Sequence, residues 1–239
     1  MEIPTNSDIL WGKIRLAEGR LFAATHMFWN HPELPRLFPA FLTQTFCVMR
    51  SGLQLMSAAL DRSLEMPDDS VASNLAAYLR VHLNEEKDHD LWLLEDICSL
   101  GYDEHDVLDT PPCASVVNLI GSQYFWMNHV HPVSVMGYLI LMEGYAPLPS
   151  QLEDIRLKSG APATAFRCLK RHADDDPAHL ADLNQALNGM SLTGKQAQAV
   201  AMCAFAAIEN TAAMFEELVA SDTTFEAGGQ REDLRYARA

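Results

Sequence analysis

Cationic residues are scarce in this sequence, in which 17 Lys and Arg stand against 32 Asp and Glu. The formal net charge of −15 would repel a nucleic acid or an anionic membrane surface, so neither is expected as a partner. No apolar run is long enough to cross a bilayer, and the first residues lack the pattern of a signal peptide. These absences favour a cytoplasmic protein.

Cysteine is also sparse, and its spacing is uninformative. The chain contains no C-x-x-C pair, which fits a reducing compartment and argues against a thiolate metal site. The five cysteines are Cys47, Cys98, Cys113, Cys168 and Cys203. Internal repeats and low-complexity segments are likewise missing.

Helical spacing of apolar residues is the dominant pattern that is present. With 239 residues, of which 49% are hydrophobic, the chain can bury a large core. We expect an all-α bundle of about seven helices around a central pocket, as one domain over residues 1–220, followed by a disordered tail over 221–239. The predicted helices cover about residues 7–28, 35–63, 68–101, 114–128 and 133–144, the segment containing 171–180, and 193–219.

The stretch RHADDDPAHL places His172, Asp176 and His179 at positions i, i+4 and i+7. On a helix these side chains lie within roughly 60° of one another. Two imidazoles and one carboxylate on a single face form a nitrogen and oxygen ligand set that suits iron, manganese or zinc. The alternative is a solvated polar start of a helix, so ligands from other helices are needed to decide.

The predicted helix over 68–101 supplies further candidate ligands. Its apolar stripe passes through His82, Glu85 or Glu86, and His89. A buried carboxylate without a partner is costly, so such groups are normally paired or bound to a metal. The alternative is an ordinary helix whose polar run faces water, and for Glu85 alone we favour that alternative.

Two more acids lie on apolar stripes. Glu143 ends a segment that is otherwise almost wholly apolar and needs a partner there. An arginine or a helix N-terminus could serve, but with other candidate ligand helices nearby a metal is the better interpretation. Glu209 either lines the same pocket or is a buried, hydrogen-bonded acid.

The segment HPVSVMGYLILMEG, followed by H-x-x-x-D-x-x-H and preceded by an E-x-x-H helix, resembles the heme-oxygenase-like diiron oxidases and oxygenases, often called iron-containing redox enzymes. The resemblance covers about residues 20–218. It implies a heme-oxygenase-like bundle that holds two non-heme irons and no heme, with a fold related to the thiaminase-II, PQQ-synthesis and CADD-like proteins. Carried over by position, it implies as ligands Glu86, His89, Glu143, His172, Asp176 and His179. His82 stands where some members have a glutamate.

Membership of that family would make the protein an O₂-dependent oxidoreductase acting on a small substrate of amino-acid or fatty-acid type. The expected partners are the substrate and O₂, with a homodimer as the candidate assembly. Two alternatives share the fold. One is a metal-free enzyme, for which Cys113 or Cys168 would be the nucleophile although neither has an evident base beside it in the sequence; the other is a small-ligand-binding protein.

The two metal positions are expected to be unequal. One would draw on Glu86, His89 and Glu143 from uninterrupted helices. The other would depend on Asp176 and His179, which flank a proline that should kink the helix, or leave Asp176 as a helix cap. Loosely held ligands weaken metal affinity, so the second site should be the emptier one.

The first testable prediction concerns the RHADDDPAHL motif. The purified protein should bind two transition metals, iron by preference, and replacing His172 and His179 together with alanine should abolish binding, because each removes a neutral nitrogen donor. Metal content measured after dialysis checks this. A doubly substituted protein that retained full stoichiometric iron would show that this motif is not the site.

Overall fold

The computed structural model describes residues 3–145 and 147–221, and helices dominate these ranges. No strand occurs in the described residues, which confirms the all-α prediction. The tail predicted to be disordered lies, apart from Ser221, outside the described residues. The α-helices are α1 (Asn6–Ala17), α2 (Gly19–Trp29), α3 (Leu34–Leu64), α4 (Ser70–Glu85), α5 (His89–Cys98), α6 (Glu104–Asp109), α7 (Ala114–His129), α8 (Met136–Gly144), α9 (Pro149–Ser159), α10 (Arg167–Asn188) and α11 (Gly194–Ala220).

The described α-helices number eleven, against about seven predicted, because two predicted helices are divided and two were missed. The first predicted helix is really α1 and α2, which meet at Glu18. Thr5 caps α1, since its hydroxyl accepts from the Asp8 amide while the Asp8 carboxylate accepts from the Thr5 amide. The helices α6 and α9 are short and rich in charged residues, so they lack a strong apolar stripe. Short 3-10 turns over Pro132–Val135 and Ala163–Phe166 precede α8 and α10.

The helix predicted over 68–101 is interrupted where its ionisable residues lie. Helix α4 ends at Glu85, Glu86 caps it, and α5 begins at His89. Between them Asp88 adopts a left-handed conformation with φ of 68°. A side chain with a Cβ atom pays a steric cost in that region, which Asp tolerates better than most residues. The prediction of an uninterrupted ligand helix here is therefore wrong.

Helix α10, by contrast, runs without interruption through Pro177. The expected new helix start at this proline does not occur. Asp176 does not act as a cap, because its Oδ1 lies 3.2 Å from Nδ1 of His172. The whole H-x-x-x-D-x-x-H motif therefore lies on one continuous helix, in which Pro177 supplies no backbone N–H. The weaker support expected for Asp176 and His179 stays a prediction.

Two long helices organise the bundle. Helix α3 packs against α4, α5 and α7, while α11 packs against α7, α8 and α2. Aromatic rings fill the space between them: Phe28 lies 5.7 Å from Phe41 and 5.2 Å from Phe215, centroid to centroid. Such contacts combine a large buried apolar area with favourable ring geometry. The core therefore fixes the helices that surround the ionisable residues.

Helix α11 is long and apolar enough to cross a bilayer, although we expected no such segment from the sequence. Among the described helices it is the one that meets these criteria. Its most apolar window is 56% buried inside the bundle, where Val200, Ala204 and Ile208 belong to the core. Many alanines and few charges in the central helix of a bundle account for this hydropathy.

A glycine sets how closely α8 approaches α11. A Cβ atom added at Gly137 would lie 1.9 Å from the carbonyl oxygen of Val200 and 2.8 Å from the amide nitrogen of Ala204. Both contacts are backbone atoms, which cannot move without displacing α11. Because α8 also carries Glu143, this contact determines the depth at which that carboxylate sits.

Replacing Gly137 with alanine should lower the free energy of unfolding by about 3 kcal/mol or more, because the added methyl group overlaps the α11 backbone. Gly121 in α7 is the matched control, since a Cβ atom there meets nothing within 4 Å. Gly121→Ala should raise stability by roughly 0.5–1 kcal/mol through helix propensity. Urea unfolding of both variants measures the difference, and equal effects would contradict the packing account.

Candidate metal centre

Four helices bring six acids and histidines together inside the bundle. Five of them are less than 9% exposed, and the sixth, His172, has a side chain that is 21% exposed. Such burial is unusual for so many ionisable groups at one place. The six predicted ligands are Glu86 beside α4, His89 on α5, Glu143 on α8, and His172, Asp176 and His179 on α10.

The first group, here called the four-donor set, consists of His82, Glu86, Glu143 and His179. Their donor atoms all lie within 4.8 Å of one another. Nε2 of His82 is 3.3 Å from Oε1 of Glu143, and Nδ1 of His179 is 3.3 Å from both Oε2 of Glu143 and Oε1 of Glu86. Two nitrogens and two carboxylates from three helices thus point at a common volume.

The second group, the three-donor set, consists of Glu86, His89 and His172. Oε2 of Glu86 lies 3.0 Å from Nδ1 of His89, and the rings of His89 and His172 are perpendicular with centroids 4.9 Å apart. Asp176 joins this group through His172. Glu86 belongs to both sets and offers a different carboxylate oxygen to each.

This grouping differs from the one expected from the sequence. Glu143 was expected beside His89, yet it lies with His82 and His179. The reason is that α8 packs against α10, whereas the break after α4 turns His89 toward the start of α10. His82, which the sequence offered as a possible ligand, is central to the four-donor set. Its place on the buried stripe of α4 was the signal for this.

Carboxylates and histidines in the cluster stabilise one another's charged forms. Burial opposes ionisation of Glu143, but the hydrogen bond from His179 and the nearby imidazole of His82 outweigh it and hold its pKa at about 2. The same contact with Glu143 raises the pKa of His179 to about 9. For His172, burial is outweighed by Asp176, and the pKa rises to about 11. Burial raises the pKa of Asp176 itself.

Several donor atoms in the cluster have no hydrogen-bond partner although they are buried. They are Nε2 of His82, Oε1 of Glu86 and Nε2 of His172. Orphaned buried polar atoms are rare and often mark a site for an ion or water. Imidazole nitrogens with carboxylate oxygens are the donors that iron and manganese take in proteins. The residues present therefore fit transition-metal ions of this class.

The two remaining candidates, Glu85 and Glu209, lie outside the cluster. The Glu85 side chain is 40% exposed, with Oε2 3.9 Å from Nδ1 of His82 and 4.0 Å from Nε2 of His179, so it stands behind these rings. Glu209 is on the surface, where Oε2 accepts a hydrogen bond of 2.5 Å from Arg20. The interpretation of Glu209 as a pocket acid is wrong, because that position of α11 faces α2 and solvent.

A cavity of about 1080 Å³ opens onto the cluster. Most of its wall is apolar and aromatic, whereas His82, Glu86 and His172 form part of one end. The exposed cations Arg15 and Lys158 also line it. The apolar wall is formed by residues that include Trp29, Phe41, Met49, Leu53, Leu139 and Phe215.

Cys168 has a neighbour that the sequence did not reveal. It lies one turn before His172 on α10, and the nearby imidazole favours the thiolate, so the expectation that Cys168 has no base beside it is wrong. Its Sγ donates to the backbone oxygen of His89 at 3.5 Å. The thiol is 1% exposed, and burial raises its pKa. Cys113 is half-buried, and its thiol pKa is also raised by burial.

Comparison with known sequences identifies one family. The sequence model of the family described as "iron-containing redox enzyme" matches residues 39–212, which include all the residues of both donor sets. A search of curated proteins finds no match.

Comparison with solved structures agrees on the fold. A domain of unknown function with a heme oxygenase-like fold from Shewanella denitrificans is 20% identical, with 88% of each chain covered and a TM-score of 0.70. A TenA homologue from Pseudomonas syringae is 12% identical, with 90% of this chain and 93% of that chain covered and a TM-score of 0.69. These likenesses establish a heme-oxygenase-like fold for the chain.

The two donor sets should differ in affinity, the four-donor set being the tighter because it has one more ligand. A Co²⁺ titration followed by calorimetry and visible absorption should therefore show two unequal steps. His89→Ala should remove the weaker step and leave the tighter one. Glu86→Ala should weaken the affinity of both binding steps by at least about 100-fold. Replacing even a residue that only hydrogen-bonds a metal ligand lowers metal affinity by about 10–100-fold. Loss of the tighter step in His89→Ala would contradict this grouping.

Proposed function

The chain belongs to the family of iron-containing redox enzymes, and we propose that it is a non-heme diiron oxidase or oxygenase that uses O₂ to oxidise a small organic substrate. One observation carries this proposal: two buried donor sets share Glu86 at the end of a large apolar cavity.

Glu86 is suited to join two metal ions. Its Oε1 faces His179 in the four-donor set and its Oε2 faces His89 in the three-donor set. A carboxylate can bind two cations through separate oxygens, whereas an imidazole offers one ring nitrogen to a given side. The position of Glu86 in the break between α4 and α5 directs its two oxygens toward different helices.

The donor set favours non-heme iron over heme. A heme iron is held by one proximal side chain, or two axial ones, from the protein. That arrangement would use at most two side chains of this cluster. It would leave the buried donor atoms Nε2 of His82, Oε1 of Glu86 and Nε2 of His172 without all the partners they need. A pair of divalent ions would satisfy them together.

The chain's own groups provide binding, orientation and exclusion of water. Ferrous iron, when bound, supplies the electrons that activate O₂. Leu139 and Met142 precede Glu143 on α8, Leu169 precedes His172 on α10, and all three line the cavity wall. Their apolar surfaces keep water from the reacting centre, which protects reactive oxygen chemistry from side reactions.

The cavity suits an apolar substrate with a polar end. Its volume of about 1080 Å³ and its apolar wall match an extended hydrocarbon or an aromatic amino-acid derivative. Of the two cations that line the cavity, Lys158 is paired with Asp154 at 2.7 Å, which makes Arg15 the candidate partner for a substrate carboxylate. Substrates of fatty-acid or amino-acid type share those features. A cytoplasmic location is proposed as well, because a reducing compartment would keep the five free cysteines reduced.

A metal-free enzyme on the same fold is the second candidate, and the pair of Cys168 and His172 favours it. A histidine beside a cysteine can activate the thiol as a nucleophile. Cys168, however, is 1% exposed and is not among the residues that line the large cavity. A metal-free enzyme also leaves the unpartnered donor atoms of His82 and Glu86 unexplained, so the iron enzyme is the better supported proposal.

Protein produced in iron-supplied medium should contain about two irons per chain, lack the absorption band of heme, and consume O₂ when given an apolar carboxylate substrate. Glu143→Ala should lose iron and O₂ uptake, because it removes a ligand of the four-donor set. Glu209→Ala is the matched control and should retain both, since Glu209 lies on the surface. If protein without iron turned over the substrate, and Cys168→Ala abolished that turnover, the metal-free enzyme would replace this proposal.

A further inference from the structure

Glu85 occupies a defined place behind two histidines of the four-donor set. Its Oε2 lies 3.9 Å from Nδ1 of His82 and 4.0 Å from Nε2 of His179. The two histidines come from different helices, α4 and α10. One carboxylate is therefore nearly equidistant from two rings that the chain brings together only in three dimensions.

The two nitrogens of each ring face opposite sides. In His82, Nε2 points inward and lies 3.3 Å from Glu143, while Nδ1 points outward to Glu85. In His179, Nδ1 lies 3.3 Å from both Glu143 and Glu86, while Nε2 points outward to Glu85. A ring nitrogen holds a metal through its lone pair, so with a metal on the inward nitrogens the outward nitrogens would carry the protons.

We propose that Glu85 is a positioning residue that accepts hydrogen bonds from the outward N–H groups of His82 and His179 and so holds both inward nitrogens toward the metal. This inference rests on the proposed function. A histidine that binds a metal usually donates its other N–H to a carboxylate or carbonyl, which fixes the ring orientation. The present separations are slightly beyond direct hydrogen bonds, and a small rotation of this half-exposed side chain closes either one.

The surroundings of Glu85 leave it free for this role. It lines a side cavity of about 440 Å³, separate from the large one, together with Tyr78 and Asp182. None of the described residues lining this cavity is Lys or Arg, so no cation competes for the carboxylate. Tyr78 stacks on the ring of His82, with centroids 5.3 Å apart and 19° between planes. This stacking keeps the outward nitrogen of His82 directed at Glu85.

A Co²⁺ titration tests the proposal on the whole chain. Glu85→Ala should weaken the tighter binding step by about 10–100-fold and alter its visible absorption spectrum. Glu85→Gln keeps an acceptor oxygen but no charge and should fall between the wild type and alanine. Asp182→Ala is the matched control, because Asp182 lines the same cavity without an ion pair to either ring within 4.0 Å in the described part of the chain. It should leave affinity and spectrum unchanged.

A second measurement separates failure of this proposal from failure of the proposed function. Proton–nitrogen NMR of the imidazole rings, recorded without added metal, should show the outward N–H groups of His82 and His179. Glu85→Ala should abolish these signals by speeding exchange with water, and Asp182→Ala should keep them. A wild type that binds no Co²⁺ would refute the metal site, yet the ring signals would still decide the role of Glu85. Unchanged ring signals in Glu85→Ala, or unchanged Co²⁺ affinity, would overturn the role.

Discussion

Burial of charge inside an apolar bundle is the constraint on which this structure depends. Carboxylates and histidines at less than 9% exposure are stable only when paired, because the cost of removing an ion from water exceeds most single favourable interactions. Glu143 and Glu86 meet this requirement through His82, His89 and His179, at 3.0–3.3 Å. The pairing is incomplete, and the donor atoms left over are the ones that a metal would bind.

Two features of the backbone place the side chains of the cluster: a break between α4 and α5, and a continuous helix α10. Between α4 and α5 the chain departs from helical geometry, with Asp88 in a left-handed conformation, and this places Glu86 between both donor sets. In α10 the helix continues through Pro177 and keeps His172 and His179 on one face. Unusual backbone geometry is often found at functional sites, where surrounding contacts offset its cost.

The bundle also gives the cluster two different sides. On one side lies a large apolar cavity whose lining residues include the cations Arg15 and Lys158 and the acids Glu18 and Asp154. On the other lies a smaller cavity with Glu85 and Asp182, which is acidic and without lysine or arginine among its described lining residues. The donor sets stand between them. The close contact of α8 with α11 at Gly137 holds Glu143 at this boundary.

Local pattern indicated the all-α fold class and, together with the family resemblance, the candidate ligand residues. Periodic apolar positions identify helices such as α3 and α11, and an acid or histidine on an apolar stripe, as at Glu143 and His89, is costly enough to be recognised from one chain. Only the tertiary structure decided which donors share a site, that Glu209 faces solvent, and that Glu85 stands behind two rings. Those outcomes depend on how helices distant in sequence pack and on a break at Asp88, whose left-handed conformation local propensity does not predict.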